Sequence, residues 1–313
     1  MGIKTVAVVG ASGNVGTPLV RALLNAGFAV TAITRPTSTA TFPSEVELRR
    51  ADPNSVEELT AALSGQDAVV SATATEVVAF TGQNALVDAA VAAGVKRFIP
   101  SEFGHNLERF ERFADGKMLR QMLDGKARTA AYVEEKAREN PGFTWTGVGT
   151  SGFFDWGLDT GVLDIHVKDR KATIYDSGNE IFSTCDLPYI GTAVAQVLKH
   201  EEETRNKFVE VVQYQTNQNA IVKALEEVLG KKFTLTHVKT ADVEKEGHEK
   251  LARGDGGGAF VDFLHLWAFT DGAGHAVPEG ETANALLGLP APQTDVRPAV
   301  EEYIRSRGVK ATD

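Results

Sequence analysis

Two features of this chain are of a type and spacing that can do chemistry: the glycine cluster Gly10-Ala11-Ser12-Gly13-Asn14-Val15-Gly16 and Lys126 in a long helical stretch. The apolar run Val6-Ala7-Val8-Val9 enters the cluster, and Val15, Leu19, Val20, Leu23 and Leu24 leave it at helical spacing, which places the glycines where a strand turns into a helix. Gly10 can take backbone angles closed to a side chain, Gly13 lets the main chain approach a phosphate, and Gly16 lets the helix pack closely on the strand. First-turn N–H groups then point at an anion, and the helix dipole favours its charge. The spacing is G-x-x-G-x-x-G where G-x-G-x-x-G is commoner, and glycines also mark ordinary turns. Its position at the first strand-to-helix junction is what points to a dinucleotide pyrophosphate held by Gly10, Ser12, Gly13, Asn14, Val15 and Gly16.

A literal Tyr-x-x-x-Lys stands at Tyr132-Val133-Glu134-Glu135-Lys136, the pattern in which a lysine lowers a tyrosine pKa and holds a nicotinamide ribose. Lys136 lies in the last helical turn before a strand that begins at Phe143, away from a cofactor at the strand ends. Lys126 lies about three turns earlier; at ~100° per residue it shares a face with Ala130, Val133 and Ala137, and Tyr132 and Lys136 point far from it. Met122 occupies the position four before Lys126, so no tyrosine accompanies it. Taken alone, a lysine on such a helix reads as a solubilising surface residue.

The elements that must position these groups follow a regular rhythm. Gly27 closes the first helix, and Ala29 to Ile33 forms a second strand ending in Thr34-Arg35-Pro36. An acidic residue at this point holds ribose hydroxyls in NAD sites, whereas arginine meets a 2′-phosphate, so Arg35 points to NADP. Val46-Glu47-Leu48 is a third strand, and Ser55-x-x-Glu58 is a capping box opening the next helix. Between them Asp52 can touch the adenine edge or serve as a turn residue before Pro53. Asp67 to Ala72 and Lys96 to Pro100 are the fourth and fifth strands, with a helix from Asn84 to Ala93 between them, and one long helix is expected from Lys117 to Asn140 before a sixth strand at Phe143 to Val148. The result is an α/β fold, a doubly wound parallel sheet of the NAD(P)-binding Rossmann type. Ligands lie outside the carboxyl ends of such strands, which nominates Thr73, Ala74, Pro100, Ser101 and Phe103.

After residue 152 the pattern loosens. Residues 1–152 are read as the NADP-binding domain and 153–313 as mainly a smaller α+β substrate domain, with some segments returning to the main sheet. Its expected strands are Ala172 to Tyr175, Phe208 to Val212 and Phe233 to Val238, with helices at Ile190 to Leu198, Asn219 to Leu229 and Ala241 to Arg253. Gly152-Phe153-Phe154-Asp155-Trp156-Gly157 reads as an aromatic loop, either lining a pocket for a flat substrate through Gly152, Phe153, Phe154 and Trp156 or packing as a hinge. Gly256-Gly257-Gly258 reads as a flexible loop leading into a helix that gates the pocket. His265 on that helix and His105 after Gly104 are further pocket candidates, although for His265 a satisfied structural histidine is the stronger reading.

Composition sets the outer bounds. The chain has 313 residues, 42% hydrophobic and 24% charged, enough for a sizeable core, and its net charge of −10 offers no basic block for nucleic acid or anionic lipid. Cys185 stands alone, so no disulfide or cysteine zinc cluster can form within the chain, and the seven histidines do not cluster at metal spacing. No Ser-His-Asp arrangement is recognisable. No run is long and apolar enough to span a membrane, and Met1-Gly2 lacks the serine or threonine that myristoylation wants, since Val6 stands there. A cytoplasmic monomer or homodimer without a metal is expected.

The glycine turn, Arg35, the run Ala89 to Gly104 and Lys126 eight residues before Glu134 together resemble the isoflavone reductase-like, NmrA-like branch of the atypical short-chain dehydrogenases. The most specific piece is Phe98-Ile99-Pro100-Ser101-Glu102-Phe103-Gly104 followed by the helix lysine. The resemblance implies NADPH as cofactor, with Lys126 in the place of the single helix lysine of plant phenylcoumaran, pinoresinol and isoflavone reductases. That lysine would hold the nicotinamide ribose and assist proton transfer as hydride passes to a small aromatic or conjugated substrate. The loop at 152–156 departs from the plant pattern and is more similar to fungal members. Two alternatives stay open: an imine or ketone as the reduced group, or an NADP(H)-sensing regulator without turnover, a branch that tends to lack the lysine.

Overall fold

The computed structural model describes residues 2–74, 82–113 and 116–309; Met1 of the Met1-Gly2 pair lies outside them. Six strands, β1 Thr5–Val9, β2 Ala29–Thr34, β3 Glu47–Arg50, β4 Ala68–Ser71, β5 Arg97–Ile99 and β6 Thr144–Gly149, are interspersed with helices except between β2 and β3. These are α1 Gly16–Asn25, α2 Val56–Ala62, α3 Asn84–Ala92, α4 Leu107–Arg112, α5 Lys117–Met122 and α6 Asp124–Glu139. Then follow β7 Gly152–Phe153, α7 Phe154–Thr160, β8 Ile165–His166, β9 Lys171–Tyr175, β10 Phe182–Cys185, α8 Leu187–Lys199, β11 Lys207–Glu210 and β12 Tyr214–Thr216. The last described elements are α9 Gln218–Leu229, β13 Thr234–Val238, α10 Thr240–Ala252, α11 Gly256–Phe269 and α12 Arg297–Arg307.

The main sheet runs β11-β6-β5-β4-β1-β2-β3, with every pairing parallel. The order reverses between β1 and β4, which makes this a doubly wound Rossmann-type sheet with its crevice at the glycine turn. Its strands are covered on both faces, so alternate residues serve two cores. Val6, Val8, Val30, Val70 and Ile99 pack under α1 and α8, while Ala7, Ile33, Val69 and Phe98 pack under α2, α3 and α6. At Gly191 of α8 an added β-carbon would lie 2.8 Å from the Pro18 carbonyl of α1, so the two helices touch backbone to backbone.

Two smaller sheets, β12-β10-β7 and β13-β9-β8, belong to the other lobe. Phe154, Ile174, Tyr214, Leu225 and Phe269 form its core, and Phe110, Leu123, Phe263 and Trp267 form a further cluster joining α4 and α5 to α11.

Several local expectations are corrected. The third strand is shifted to Glu47–Arg50, pairing with Thr31 to Thr34. The long helix is two helices that meet at Leu123 (φ −102°, ψ 22°), where the buried leucine is held in the α11 cluster and Gly125 follows two residues on. The strand expected at Phe208 to Val212 in the smaller domain is β11, which extends the main sheet beside β6. The stretch 152–157 is a short strand running into α7. The three glycines at 256–258 are the first turn of α11, capped by Asp255, whose carboxylate accepts from Gly258 N–H at 2.9 Å. Tertiary packing of Ala259, Phe263 and Trp267 outweighs the helix cost of about 1 kcal/mol per glycine.

The amino edge of the main sheet is stitched by Asp67. Its carboxylate accepts from Lys4 N–H at 2.9 Å, Thr5 N–H at 3.1 Å and Lys96 Nζ at 2.7 Å, tying β1, β4 and β5 together. Partial burial pushes the carboxyl up, but the Lys96 ammonium and the two amides bring it down to about 2. A carboxyl lowered on folding stabilises above its unfolded value and loses that contribution as pH falls through its folded one. Asp67→Asn is therefore expected to cost about 1 kcal/mol at neutral pH. In urea melts the gap to the wild type should close as pH drops from about 4 towards 2.

Candidate functional site

The site is assembled from backbone at the carboxyl edge of the main sheet. Gly10 has φ +80°, and a β-carbon there would lie 2.5 Å from the Ala72 carbonyl at the end of β4. A β-carbon on Gly16 would collide with the Gly10 carbonyl. Both glycines are thus required by close approach, with Gly13 N–H donating to the Gly10 carbonyl at 3.0 Å to close the turn. The first α1 hydrogen bond runs from Thr17 N–H to the Gly13 carbonyl at 3.0 Å, so the amides of Asn14, Val15 and Gly16 precede the intrahelical ladder. The first turn carries no acidic residue, and Ser12, Gly13 and Asn14 are exposed. Such a turn suits an anion.

The adjoining strand ends are linked in series. Ser71 and Thr73 share a hydroxyl contact of 3.1 Å, Ser101 Oγ donates to the Thr73 carbonyl at 2.7 Å, and Ser101 N–H donates to Gln83 Oε1 at 3.2 Å. Ala74 is exposed at this edge and Pro100 is buried. Phe103 adopts φ +35°, a region that costs a non-glycine residue about 1–3 kcal/mol. Its N–H donates to the Val148 carbonyl at 3.0 Å, and its side chain is buried in the main core beside Ile99 and Val148, which corrects its assignment as a pocket wall.

Lys126 lies in the first turn of α6, and Nζ donates to the Glu102 carbonyl at 2.5 Å. Only 6% of the residue is exposed, and burial pushes its pKa below the ordinary lysine value while Glu102 opposes the shift. Tyr132 and Lys136 are engaged elsewhere. Tyr132 donates to Asp88 of α3 at 2.5 Å, burial and Asp88 push its phenol up, and Lys136 pairs with Glu139 at 3.3 Å. A raised phenol is the opposite of what an activated tyrosine needs.

Arg35 is exposed at the carboxyl end of β2. Sequence reasoning missed its neighbour Arg50, whose Nη1 donates to the carbonyls of Pro36 at 3.2 Å and Ser38 at 2.7 Å and so shapes the loop after Arg35. The cue would have been β3 read two residues further. Asp52 behaves as the turn residue, accepting from Asn54 N–H at 2.9 Å, and its own N–H donates to Glu58. The capping box is thus half formed: Ser55 caps Glu58 N–H at 3.2 Å, but the Glu58 carboxylate turns to Asp52.

The proposed pocket wall disperses. Phe154 is fully buried in the second core against Tyr214, so it is packing; Gly152 and Phe153 form β7; Trp156 is half-buried against the main core, with its ring 6.1 Å from that of Phe153. His265 is a structural histidine and not a projecting one. Its Nε2 donates to the Val162 carbonyl at 2.8 Å, and Nδ1 lies 2.6 Å from the Tyr175 hydroxyl, which donates to Asp164 at 2.5 Å. His105 sits edge-on to Phe110 and Trp267, and burial, with Arg109 and His275 adding to it, takes its imidazole down to about 3, so it is neutral. Nearby, Arg109 bridges Glu281 at 2.9 Å and Glu210 at 3.6 Å and fastens α4 to the chain after α11. Among the described residues no group of His, Cys, Asp and Glu can hold a metal, and no helix is long and apolar enough to cross a membrane.

Sheet order, crossover point and glycine turn together define a Rossmann-type α/β protein. The chain belongs to the NmrA-like family, whose family model matches residues 3–252. It is 33% identical over 294 residues to Oxidoreductase poxI of Penicillium oxalicum, covering 91% of this chain and 90% of that protein. Among solved structures it resembles AtPrR2 with NADP+ and (+)pinoresinol, at TM-score 0.72 and 21% identity over 97% of this chain and 99% of that one. It also resembles the leucoanthocyanidin reductase–NADPH complex of Vitis vinifera, at TM-score 0.73 and 22% identity over 96% of this chain and 99% of that one.

If the Tyr175–His265–Asp164 group is structural, Tyr175→Phe should cost about 2 kcal/mol in urea unfolding. Hydrogen exchange at the Phe103 and Thr150 amides, which bond to Val148 and Gly104 at the carboxyl edge of the main sheet, should stay unchanged.

Proposed function

We propose that this protein is an NADPH-dependent reductase of a small aromatic or conjugated molecule. The observation that carries the reading is Lys126, a buried ammonium anchored on the Glu102 carbonyl at the strand ends where the glycine turn opens. A lysine kept for solubility would be exposed; this one bears a desolvation penalty that a binding or proton-transfer role accounts for. The oxidoreductase relative and the likeness to proteins solved with NADP+ or NADPH support the same reading.

The residues present fit the cofactor. The cradle that β-carbons would fill at Gly10 and Gly16, with the leading amides of α1, suits the pyrophosphate. Arg35, on a loop held by Arg50, suits a 2′-phosphate, and no carboxylate stands at that end of β2 to favour the bare ribose. When bound, NADPH supplies a hydride from its nicotinamide ring. Lys126 holds the nicotinamide ribose and carries, at Nζ, the proton that the reduced substrate requires. Ser12, Gly13, Asn14 and Val15 line the phosphate side; Thr73, Ala74, Pro100 and Ser101 line the strand edge between the two. Phe153 and Trp156 are the aromatic residues of the 152–157 segment left partly exposed and suit the substrate side.

Two outcomes check this. In fluorescence titrations, Arg35→Ala should raise the Kd for NADPH roughly 10- to 100-fold and that for NADH by less than about 3-fold. Lys126→Met should lower NADPH oxidation at least about 100-fold against whichever enone, quinone, imine or lignan-like aromatic the wild type reduces, with NADPH still bound. NADPH binding with no oxidation of any of these by the wild type would replace this reading with that of a nucleotide-sensing regulator.

A further inference from the structure

Arg50 ends β3 at the carboxyl edge of the main sheet, and the parallel register sets it beside Thr34 at the end of β2. Successive side chains of a strand point to opposite faces, so Arg49 and Arg50 serve different ones. Arg49 is the partner of Ile33, on the face that α2 covers; its Nη1 donates to the carbonyls of Ala62 and Ser64 at 2.8 Å each, and its Nε pairs with Glu47. Arg50 lies two residues beyond the partner of Ala32, on the face that α1 covers. There its Nη1 donates to the carbonyls of Arg35 at 3.4 Å, Pro36 at 3.2 Å and Ser38 at 2.7 Å, and Ser38 N–H closes the turn on the Arg35 carbonyl at 3.0 Å.

The chain carries 42 acidic residues against 32 lysines and arginines, yet among the described residues neither Arg35 nor Arg50 is ion-paired to a carboxylate, and both are exposed. The acids close to them in sequence are turned elsewhere: Glu47 to Arg49, Asp52 to the Asn54 N–H, and Glu58 to the Asp52 N–H. A staple for the turn would need only a neutral donor. A full positive charge fixed by three carbonyls, with Nε and Nη2 making no bond among the described residues, is a guanidinium set in place for an anion.

We propose that Arg50 is a second ligand for the 2′-phosphate of NADPH and, with Arg35, sets the preference for NADPH over NADH. This rests on the NADPH reading of the glycine turn. Arg50 stands on the sheet face of α1, whose leading amides suit the pyrophosphate, and braces the turn that begins at Arg35, so one dinucleotide can meet all three. A phosphate monoester carries about −1.5 to −2 charge at neutral pH and offers three acceptor oxygens, enough for two arginines. The bare ribose of NADH gives neither arginine a counter-charge. Because the carbonyls hold Arg50 before the cofactor arrives, little side-chain freedom is lost on binding.

The test compares, in the full chain, Arg50→Gln, which keeps an amide able to donate to the turn carbonyls and loses the charge, with Arg50→Lys, which keeps the charge. In fluorescence titrations Arg50→Gln should raise the Kd for NADPH about 10-fold and that for NADH by less than about 3-fold. Arg50→Lys should recover at least about half of that loss on a logarithmic scale. With NADP+ bound, the 2′-phosphate followed by phosphorus NMR should titrate at least about half a pH unit higher in Arg50→Gln than in the wild type, since a nearby cation favours the dianion. A residue that only braced the turn would leave that titration unmoved. Unchanged NADPH affinity in Arg50→Gln, equal losses in the two variants, or an unmoved phosphate titration overturns the proposal. A wild type that binds NADPH no more tightly than NADH overturns the NADPH reading itself, and the role of Arg50 with it.

Discussion

How closely the backbone at Gly10 approaches the end of β4 governs the whole carboxyl edge. With an added β-carbon only 2.5 Å from the Ala72 carbonyl, this position admits glycine alone, and the same crowding recurs where α1 begins at Gly16. The approach aims the leading amides of α1 out of the sheet and sets where Thr73 stands. Thr73 in turn receives Ser101, and the residue after Ser101 holds Lys126. A chain of short contacts thus runs from the glycine turn to an ammonium, joining positions more than a hundred residues apart in sequence.

The two edges of the sheet are held in different ways, although Gln66 Oε1 at the amino edge is also enclosed without a partner. At the amino edge, Asp67 finds amides and an ammonium for both of its oxygens, and Arg97 is buried among Thr144, Thr146, Thr204 and the Glu201 carbonyl. At the carboxyl edge, Gln83 Nε2, Glu102 Oε1 and Thr150 Oγ1 are enclosed without partners.

Legibility in the sequence divided along physical lines. Alternating two-faced strands and the glycine turn are local patterns, and β1, β2, β4, β5 and β6 were readable because burial on both faces leaves apolar runs. The position of Arg35 followed from the strand end, whereas helical spacing only separated Lys126 from Tyr132 and Lys136 and left it reading as a surface lysine; the family resemblance singled it out, and its burial came from contacts distant in sequence. What escaped depends on contacts distant in sequence. The glycines at 256–258 read as a loop because their propensity disfavours helix, and only the packing of Phe263 and Trp267 reverses it. Phe154 read as a pocket wall because an aromatic residue looks the same in a cavity and in a core. The role of Arg50 required knowing that its side chain reaches three carbonyls across the adjacent loop.

The break between α5 and α6 has one more consequence. Leu123 is fixed among Phe110, Phe263 and Trp267, and three residues later its chain presents Lys126. The ammonium is therefore located by a side-chain cluster contributed by residues 107–123 and 259–267, and not by the strand edge alone. Substitutions along residues 259–267 and at Lys126 must be epistatic: a change of volume in that remote helix re-registers the lysine, so the same replacement near the crevice has different effects in different aromatic backgrounds.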